Sequence, residues 1–459
     1  MESKNQSSNN SRRSFLKKVS TGTAVIASLP WLTSSCDTSS SEENDTPTKR
    51  KKRLSLFTKE YNSIDDIYEI DPNYQRMDQK NTVFNRGMWD KEIKMVMMSM
   101  LTKKGGMLPN PLLGKPGWSR IDEALAKAAG KGVDVAVGAR PIGITNAGPM
   151  NNWERHTKTD VNKDKHIFAS KEEAARIIKR ASLFFGASVV GIAPYDERWT
   201  YSKFYNGREA LMDPENGKAT HEEATFPFEV KSIIVLGHEM DYEALKCPGL
   251  LNEATVQKEY ASMAEVGFKV AAFLNELGYP CIPSGNDIGL SIPIAIQAGL
   301  GEISRMGLLI NSKYGSRLRL SKIYTNLEIA TDKPVTFGVQ EFCKKCKKCA
   351  VDCPSNAISM ETEPTVEPDT DSISSHPGVK KWYQNNERCF QHWERQGAGC
   401  GICVAVCPYN KKENWVHHLS EAVVSVPVGR DIARQLDDAF GYGKINEENV
   451  TTFWNQADD

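Results

Sequence analysis

Eight cysteines carry the most legible chemistry in the chain. "CKKCKKCAVDCP" (343–354) sets Cys343, Cys346, Cys349 and Cys353 at the spacing of a bacterial ferredoxin run, closed by Pro354. "CFQHWERQGAGCGICVAVCP" (389–408) repeats the run as Cys389, Cys400, Cys403 and Cys407 before Pro408, with its first gap stretched to ten residues. Thiolate sulfur is the ligand that iron–sulfur clusters require, and in two-cluster ferredoxins the fourth cysteine of each run ligates the other cluster. On that rule Cys343, Cys346, Cys349 and Cys407 hold one [4Fe–4S] cluster, while Cys389, Cys400, Cys403 and Cys353 hold the second. Short paired cysteine spacings also make structural zinc sites. Eight cysteines in this order, with both terminal Cys-Pro pairs, favour clusters. Two clusters move electrons singly, so the chain must deliver them to something else.

What receives the electrons is not written in a standard motif. There is no P-loop run and no G-x-G-x-x-G after a strand. "GHEMD" (237–241) has His-Glu without a second histidine, which is weak as a zinc site. "DKHIFA" (164–169) falls short of the D-x-H-x-x-G motif of a corrinoid lower ligand, because it ends in alanine. The 459 residues carry 58 basic and 58 acidic side chains, so net charge gives no case for a nucleic-acid partner. Of the remaining cysteines, Cys247 and Cys281 lie outside both runs and read as buried thiols. Eight of eleven cysteines between 343 and 407 argue for metal rather than a disulfide framework.

The N-terminus carries an address. "SRRSFLK" (11–17) precedes the modest apolar run "VSTGTAVIASLPWL", the arrangement of a Tat-type signal. That pathway exports folded proteins, which suits a chain that receives its cofactors in the cytoplasm. Cys36 in "TSSC" is a lipid-attachment candidate, although Thr33 fits such a site poorly. Residues 37–53 are polar and low in complexity, as in a disordered linker.

Chemistry needs a scaffold, and the middle of the chain supplies its elements. "SKEEAARIIKRASLFFG" opens with Ser170 and Glu173 in capping-box spacing and ends at Gly186, a helix signature. "ASVVGIA" (187–193) and "KSIIVLGHEM" (231–240) read as buried strands. The segment 254–278 reads as a helix with Val256, Tyr260, Met263, Val270, Leu274 and Leu277 on one face. Helices interleaved with apolar strands argue an α/β core. The expected organisation is a signal segment (1–36), a linker (37–53), an α/β domain (54–335), a cysteine-rich module (336–415) and a helical tail (416–459).

Taken together, the signal, the two cysteine runs and several middle segments resemble the corrinoid-dependent reductive dehalogenases. "PGWSRIDEALAKAA" (116–129), "GASVVGIAPYDERWTY" (186–201), "GHEMDYEA" (237–244) and the long run from Glu259 to Ile329 carry the likeness. The resemblance extends from residue 11 to about 415, with order and relative spacing kept. It implies a nitroreductase-like α/β (α+β) corrinoid-binding core with a C-terminal ferredoxin-like module. It also implies a cobalamin-type corrinoid and a halogenated organic substrate. The electron donor would be a small membrane anchor protein, a ferredoxin or a quinol-linked donor, at the outer face of the cytoplasmic membrane.

Residue by residue, the family's proton-donating tyrosine, set in a Tyr-x-x-Met helix, matches Tyr260. The polar residue of the "GND" turn matches Asn286. The basic residue of the G-x-R-x-R segment matches Arg319, with Arg317 as the second choice. The chemistry is coherent: a phenol of ordinary pKa, ~10, keeps its proton at neutral pH and can act as a general acid. A nearby guanidinium favours the phenolate left behind. Each residue also has an ordinary reading, Tyr260 as core, Asn286 as a turn residue and the arginines as strand charges. Trp89, Trp118 and Trp199 could line an apolar pocket, although core packing suits them better.

The leading expectation is an exported reductive dehalogenase. Epoxyqueuosine reductase is the related alternative, also corrinoid-dependent with two clusters. It acts on tRNA in the cytoplasm, which "SRRSFLK" and the neutral net charge oppose. A non-enzymatic iron–sulfur electron carrier is the third reading, but the domain before residue 336 is larger than a carrier needs.

Overall fold

Four apolar segments become one antiparallel sheet. In chain order they are β1 (Val189–Pro194), β2 (Ser232–Glu239), β3 (Cys281–Ser284) and β4 (Leu318–Thr325), arranged β1-β2-β4-β3. The computed structural model describes residues 58–104, 110–136, 161–207, 210–211, 213, 215–411, 443 and 445–456. The signal and linker expected over 1–53 therefore lie outside the described residues, as does most of the expected tail.

β2 shows why the sequence alternates so little here. Ile233 and Val235 enter one core with Leu320, Tyr324, Ile294, Ala295 and Ile296. Ile234 and Leu236 enter a second core with Ile192, Ile323, Val270 and Leu274. Successive side chains point to opposite faces of a strand, and both faces of this one are covered, so every position wants an apolar residue. The layers are helix, sheet, helix. One outer layer is α1 (Lys171–Phe184) with α2 (Leu250–Glu276), and the other contains α3 (Ser291–Gln297). Burying residues such as Val270 and Leu274, both 0 % exposed, contributes about 1.5–3 kcal/mol each.

Helices do alternate with strands along the chain, yet every pairing in the sheet is antiparallel. β2 and β3, separated by α2, do not pair; each flanks β4 instead. The core is thus the α+β form of the expected mixed fold. Ser170 caps α1 by accepting from the Glu173 N–H at 3.1 Å, and the Glu173 carboxylate reaches back to Ala169 N–H at 2.6 Å. This capping box is displaced by one residue on its return bond. α2 starts four residues earlier than the sequence reading placed it. It ends where Gly278, at φ +82°, lets Tyr279 N–H return to Leu274 C=O.

The cysteine-rich stretch is irregular, with helices at Val339–Cys346, Lys348–Val351, Asn386–Gln396 and Ile402–Ala405. It belongs to one compact unit, Phe57–Asp459. Residues 412–442 lie outside the described residues. A terminal helix, Glu448–Asn455, packs Val450 and Phe453 against Cys247, Leu251 and Leu125. Among the described residues no helix is long and apolar enough to cross a membrane.

Candidate active site

The fold gathers the eight cysteines in crossed groups. Burial raises the Cys343 thiol, and among the facing thiols Cys407 and Cys346 add to the rise. Burial likewise raises Cys349, with Cys343, Cys407, Cys403 and Cys346 around it. In the other group, burial pushes Cys389 up to about 12, with Cys400 and Cys353 facing it. Cys403 is raised by burial and then by Cys400, Cys389 and Cys353. Cys407 therefore sits with the first run and Cys353 with the second, although each is distant from its group in sequence. Four thiols gathered out of full contact with water repel as thiolates unless positive charge lies among them. That fits the donor set to a bound metal cluster.

Arg305, which the sequence reading passed over, braces the first group. It is 0 % exposed. Its Nε and Nη2 donate to Cys343 C=O at 3.1 and 2.8 Å, and Nη1 donates to the carbonyls of Ser359 and Glu361. Its guanidinium also stacks on Trp382, 4.5 Å from the ring centre.

α2 joins the second group to the α+β body. Glu253, in its first turn, is buried, accepts from the Gly399 N–H and pairs with Lys104 at 2.7 Å. Burial alone would raise this carboxyl, but Lys104 and the Gly399 N–H hold it below the usual range. Tyr260 lies seven residues further along the same helix, about 10 Å along its axis. One rigid element thus touches the peptide beside Cys400 and presents the phenol.

At that phenol, three of the four expected site residues meet. Asn286 Nδ2 donates to Tyr260 Oη at 3.3 Å. The Arg319 guanidinium carbon lies 5.3 Å from the Tyr260 ring centre, so the cation faces the ring. Tyr260 and Arg319 are half-buried and Asn286 is exposed. Arg317 is not part of this group. It is 2 % exposed, pairs with Glu239 at 2.9 Å and donates to Asn410 Oδ1 and Lys411 C=O. It ties the start of β4 to the end of the second cysteine run.

"GHEMD" resolves into two separate roles. His238 and Glu239 are successive strand residues and point to opposite faces. Glu239 takes Arg317, while His238 Nε2 meets Ser321 Oγ at 2.9 Å. His238 is also the cross-strand neighbour of Arg319. Its Nδ1 and the Arg319 Nε are both buried without a hydrogen-bond partner. Two such orphaned polar atoms, one on the arginine over the phenol ring and one on its cross-strand neighbour, are groups that a polar ligand such as a corrinoid could satisfy.

Burial depresses His238 to about 4. Because the native state stays neutral while the unfolded chain takes up a proton below about 6.5, stability falls as pH drops from about 6.5 towards 4. The loss between pH 7 and pH 5 is on the order of 2 kcal/mol. In anaerobic urea unfolding, His238→Asn should therefore show a smaller acid-side drop in midpoint than the wild type. Equal drops would contradict the assignment.

The tryptophans are dispersed. Trp199 is 1 % exposed and packs against Tyr74, Trp89 lies at the surface with its Nε1 donating to Lys80 C=O, and Trp118 faces Gly249 at the start of α2. Cys247 and Cys281 are buried free thiols. Lys322, unmarked in the sequence reading, is 0 % exposed. Strand alternation puts it on the buried face with Leu320 and Tyr324, and a lysine in that row was the signal.

Comparison with known proteins follows the same outline. A family profile described as a 4Fe-4S double cluster binding domain matches residues 342–410. A tetrachloroethene reductive dehalogenase of Desulfitobacterium hafniense is 40 % identical over 404 residues, covering 74 % of this chain and 73 % of that protein. Among solved structures, the catabolic reductive dehalogenase NpRdhA superposes with a TM-score of 0.64 at 20 % identity, over 87 % of this chain. The chain spans about half of that structure, 51 %. An epoxyqueuosine reductase of Lactococcus garvieae is 32 % identical over 130 residues, only 28 % of this chain.

Proposed function

Because the chain belongs to the reductive dehalogenases, we propose that it replaces a halide by hydrogen on an organohalide, with Tyr260 donating the proton. The overall change is R–X + 2 e⁻ + H⁺ → R–H + X⁻. It is an oxidoreductase that uses two [4Fe–4S] clusters and a cobalamin-type corrinoid. When bound, the corrinoid supplies the strongly reducing cobalt that breaks the carbon–halogen bond. Cys343, Cys346, Cys349 and Cys407 would hold one cluster, and Cys389, Cys400, Cys403 and Cys353 the other. Arg319 Nε, at the Tyr260 ring, and His238 Nδ1, on the neighbouring strand, are the unpartnered buried polar atoms that could turn to a corrinoid.

The observation that carries the reading is that Asn286 and Arg319 meet Tyr260, which stands on a helix whose first turn bonds the second cysteine run. Asn286 donates to the phenol oxygen, so the phenol O–H is left to point at a substrate. As that proton leaves, negative charge develops on the oxygen. The Asn286 N–H and the Arg319 guanidinium are already placed to meet it. The similarity to tetrachloroethene dehalogenases makes chlorinated ethenes the first substrates to try. The "SRRSFLK" run supports folded-state export, with the reaction at the outer face of the cytoplasmic membrane. Electrons would then come from a membrane anchor protein, a ferredoxin or a quinol-linked donor.

The test is an anaerobic preparation reconstituted with cobalamin, analysed for iron and cobalt and assayed with reduced viologen. About eight irons per chain, bound cobalt and chloride release from tetrachloroethene or a related halocarbon are expected. Bound cobalt with no halide released from a broad chlorinated and brominated panel would overturn the proposal.

A further inference from the structure

Lys322 lies on the face of β4 away from Arg319, across the β3–β4 ladder from Ser284. It is 0 % exposed. Its Nζ donates to Gly285 C=O and, at 2.6 Å, to Ser291 Oγ. Burial lowers it to about 8, with Asp287 opposing that shift, so it is largely an ammonium at neutral pH. The segment from Gly285 to Ser291 is therefore gripped from both sides of the sheet. Lys322 holds it from one face, and Tyr260 meets Asn286 from the other.

The direction of each hydrogen bond follows from the donor inventory. An ammonium only donates, so Ser291 Oγ accepts from Lys322. Ser291 has one proton, and it goes to Asn286 Oδ1 at 3.1 Å. With Oδ1 occupied, the Asn286 amide has one orientation left, with Nδ2 towards the Tyr260 oxygen. Without the serine hydroxyl, nothing among these contacts prevents the amide from turning over. A turned amide would offer its carbonyl to the phenol and capture the very proton that the reaction needs.

We propose that Lys322 and Ser291 are positioning residues that lock the Asn286 amide, so that Tyr260 presents its proton to the halocarbon. The inference rests on Tyr260 as proton donor. It adds two residues whose contact with the phenol runs through Asn286.

The experiment uses the cobalamin-reconstituted full chain as wild type, Ser291→Ala, Ser291→Thr and Lys322→Met. Ser291→Ala should lower kcat about 10–100-fold, with the organohalide KM and the iron and cobalt contents unchanged. Ser291→Thr, which keeps the hydroxyl, should recover most of that loss. A second readout does not need turnover. In protein labelled with ¹³Cζ-tyrosine, the Tyr260 resonance is identified by its absence from Tyr260→Phe. At neutral pH its chemical shift should change in Ser291→Ala and return in Ser291→Thr, because the phenol oxygen would turn from accepting an N–H to donating to a carbonyl.

Wild-type turnover in Ser291→Ala with an unmoved Tyr260 resonance would overturn the proposal. If Lys322→Met does not fold, the two serine variants decide alone. If the resonance moves but the wild type releases no halide, the amide lock stands and the dehalogenase reading fails.

Discussion

Tyr260→Phe is expected to keep its clusters and corrinoid and lose about 10²–10⁴-fold in turnover, the usual share of a positioned general acid. That is about 3–5 kcal/mol of transition-state stabilisation. The change deletes one oxygen, which accepts from Asn286 Nδ2 at 3.3 Å. The ring that faces Arg319 remains, so folding should shift by less than about 1 kcal/mol. Organohalide KM should move little, because the lost interaction belongs to proton transfer and not to binding. Anaerobic halide-release kinetics, with iron and cobalt measured on the same samples, provide the check. Full activity in this variant would remove Tyr260 as the donor.

A cysteine exchange should produce the second large effect, and in an order that sequence position alone does not suggest. Cys353→Ala alters the first run yet should abolish the spectroscopic signature of the cluster held by Cys389, Cys400 and Cys403. Cys407→Ala alters the second run and should abolish the other. Each variant is expected to lose about four of its roughly eight irons, or to retain a degraded cluster, and to lose electron delivery to the active site. Electron paramagnetic resonance of the reduced proteins distinguishes the two. If Cys353→Ala instead spared the Cys389 group and destroyed the Cys343 group, the crossed arrangement would be wrong. Cys353 has a further local task, since its sulfur accepts from the Ala357 N–H at 3.3 Å.

Much of the frame was legible because its signals are local. The helix over Lys171–Phe184 is announced by Ser170 and ends near Gly186, and the strands of the sheet appear as short apolar runs. The cysteine spacing specifies a cluster pair because thiolate geometry around such a cluster demands it. Resemblance to a family, rather than periodicity, singled out Tyr260, Asn286 and Arg319. On composition alone they read as core, turn and strand residues. Strand direction was not legible, because an apolar run buried on both faces looks the same in a parallel or an antiparallel neighbour.

The sequence by itself determined the cluster-binding chemistry, the mixed fold and the helix that carries the phenol, all of which depend on residues close together along the chain. Only the tertiary structure showed that Arg319, and not Arg317, lies over the Tyr260 ring. They sit two residues apart, Arg317 just before β4 and Arg319 within it, and packing sent the first to Glu239 and Asn410 and the second over the Tyr260 ring. It also joined Lys322, Ser291 and Asn286 into one line of hydrogen bonds. The physical reason is that a strand residue's partner is set by which face is covered and by what covers it. Those covering segments, a helix and a loop, come from elsewhere in the chain.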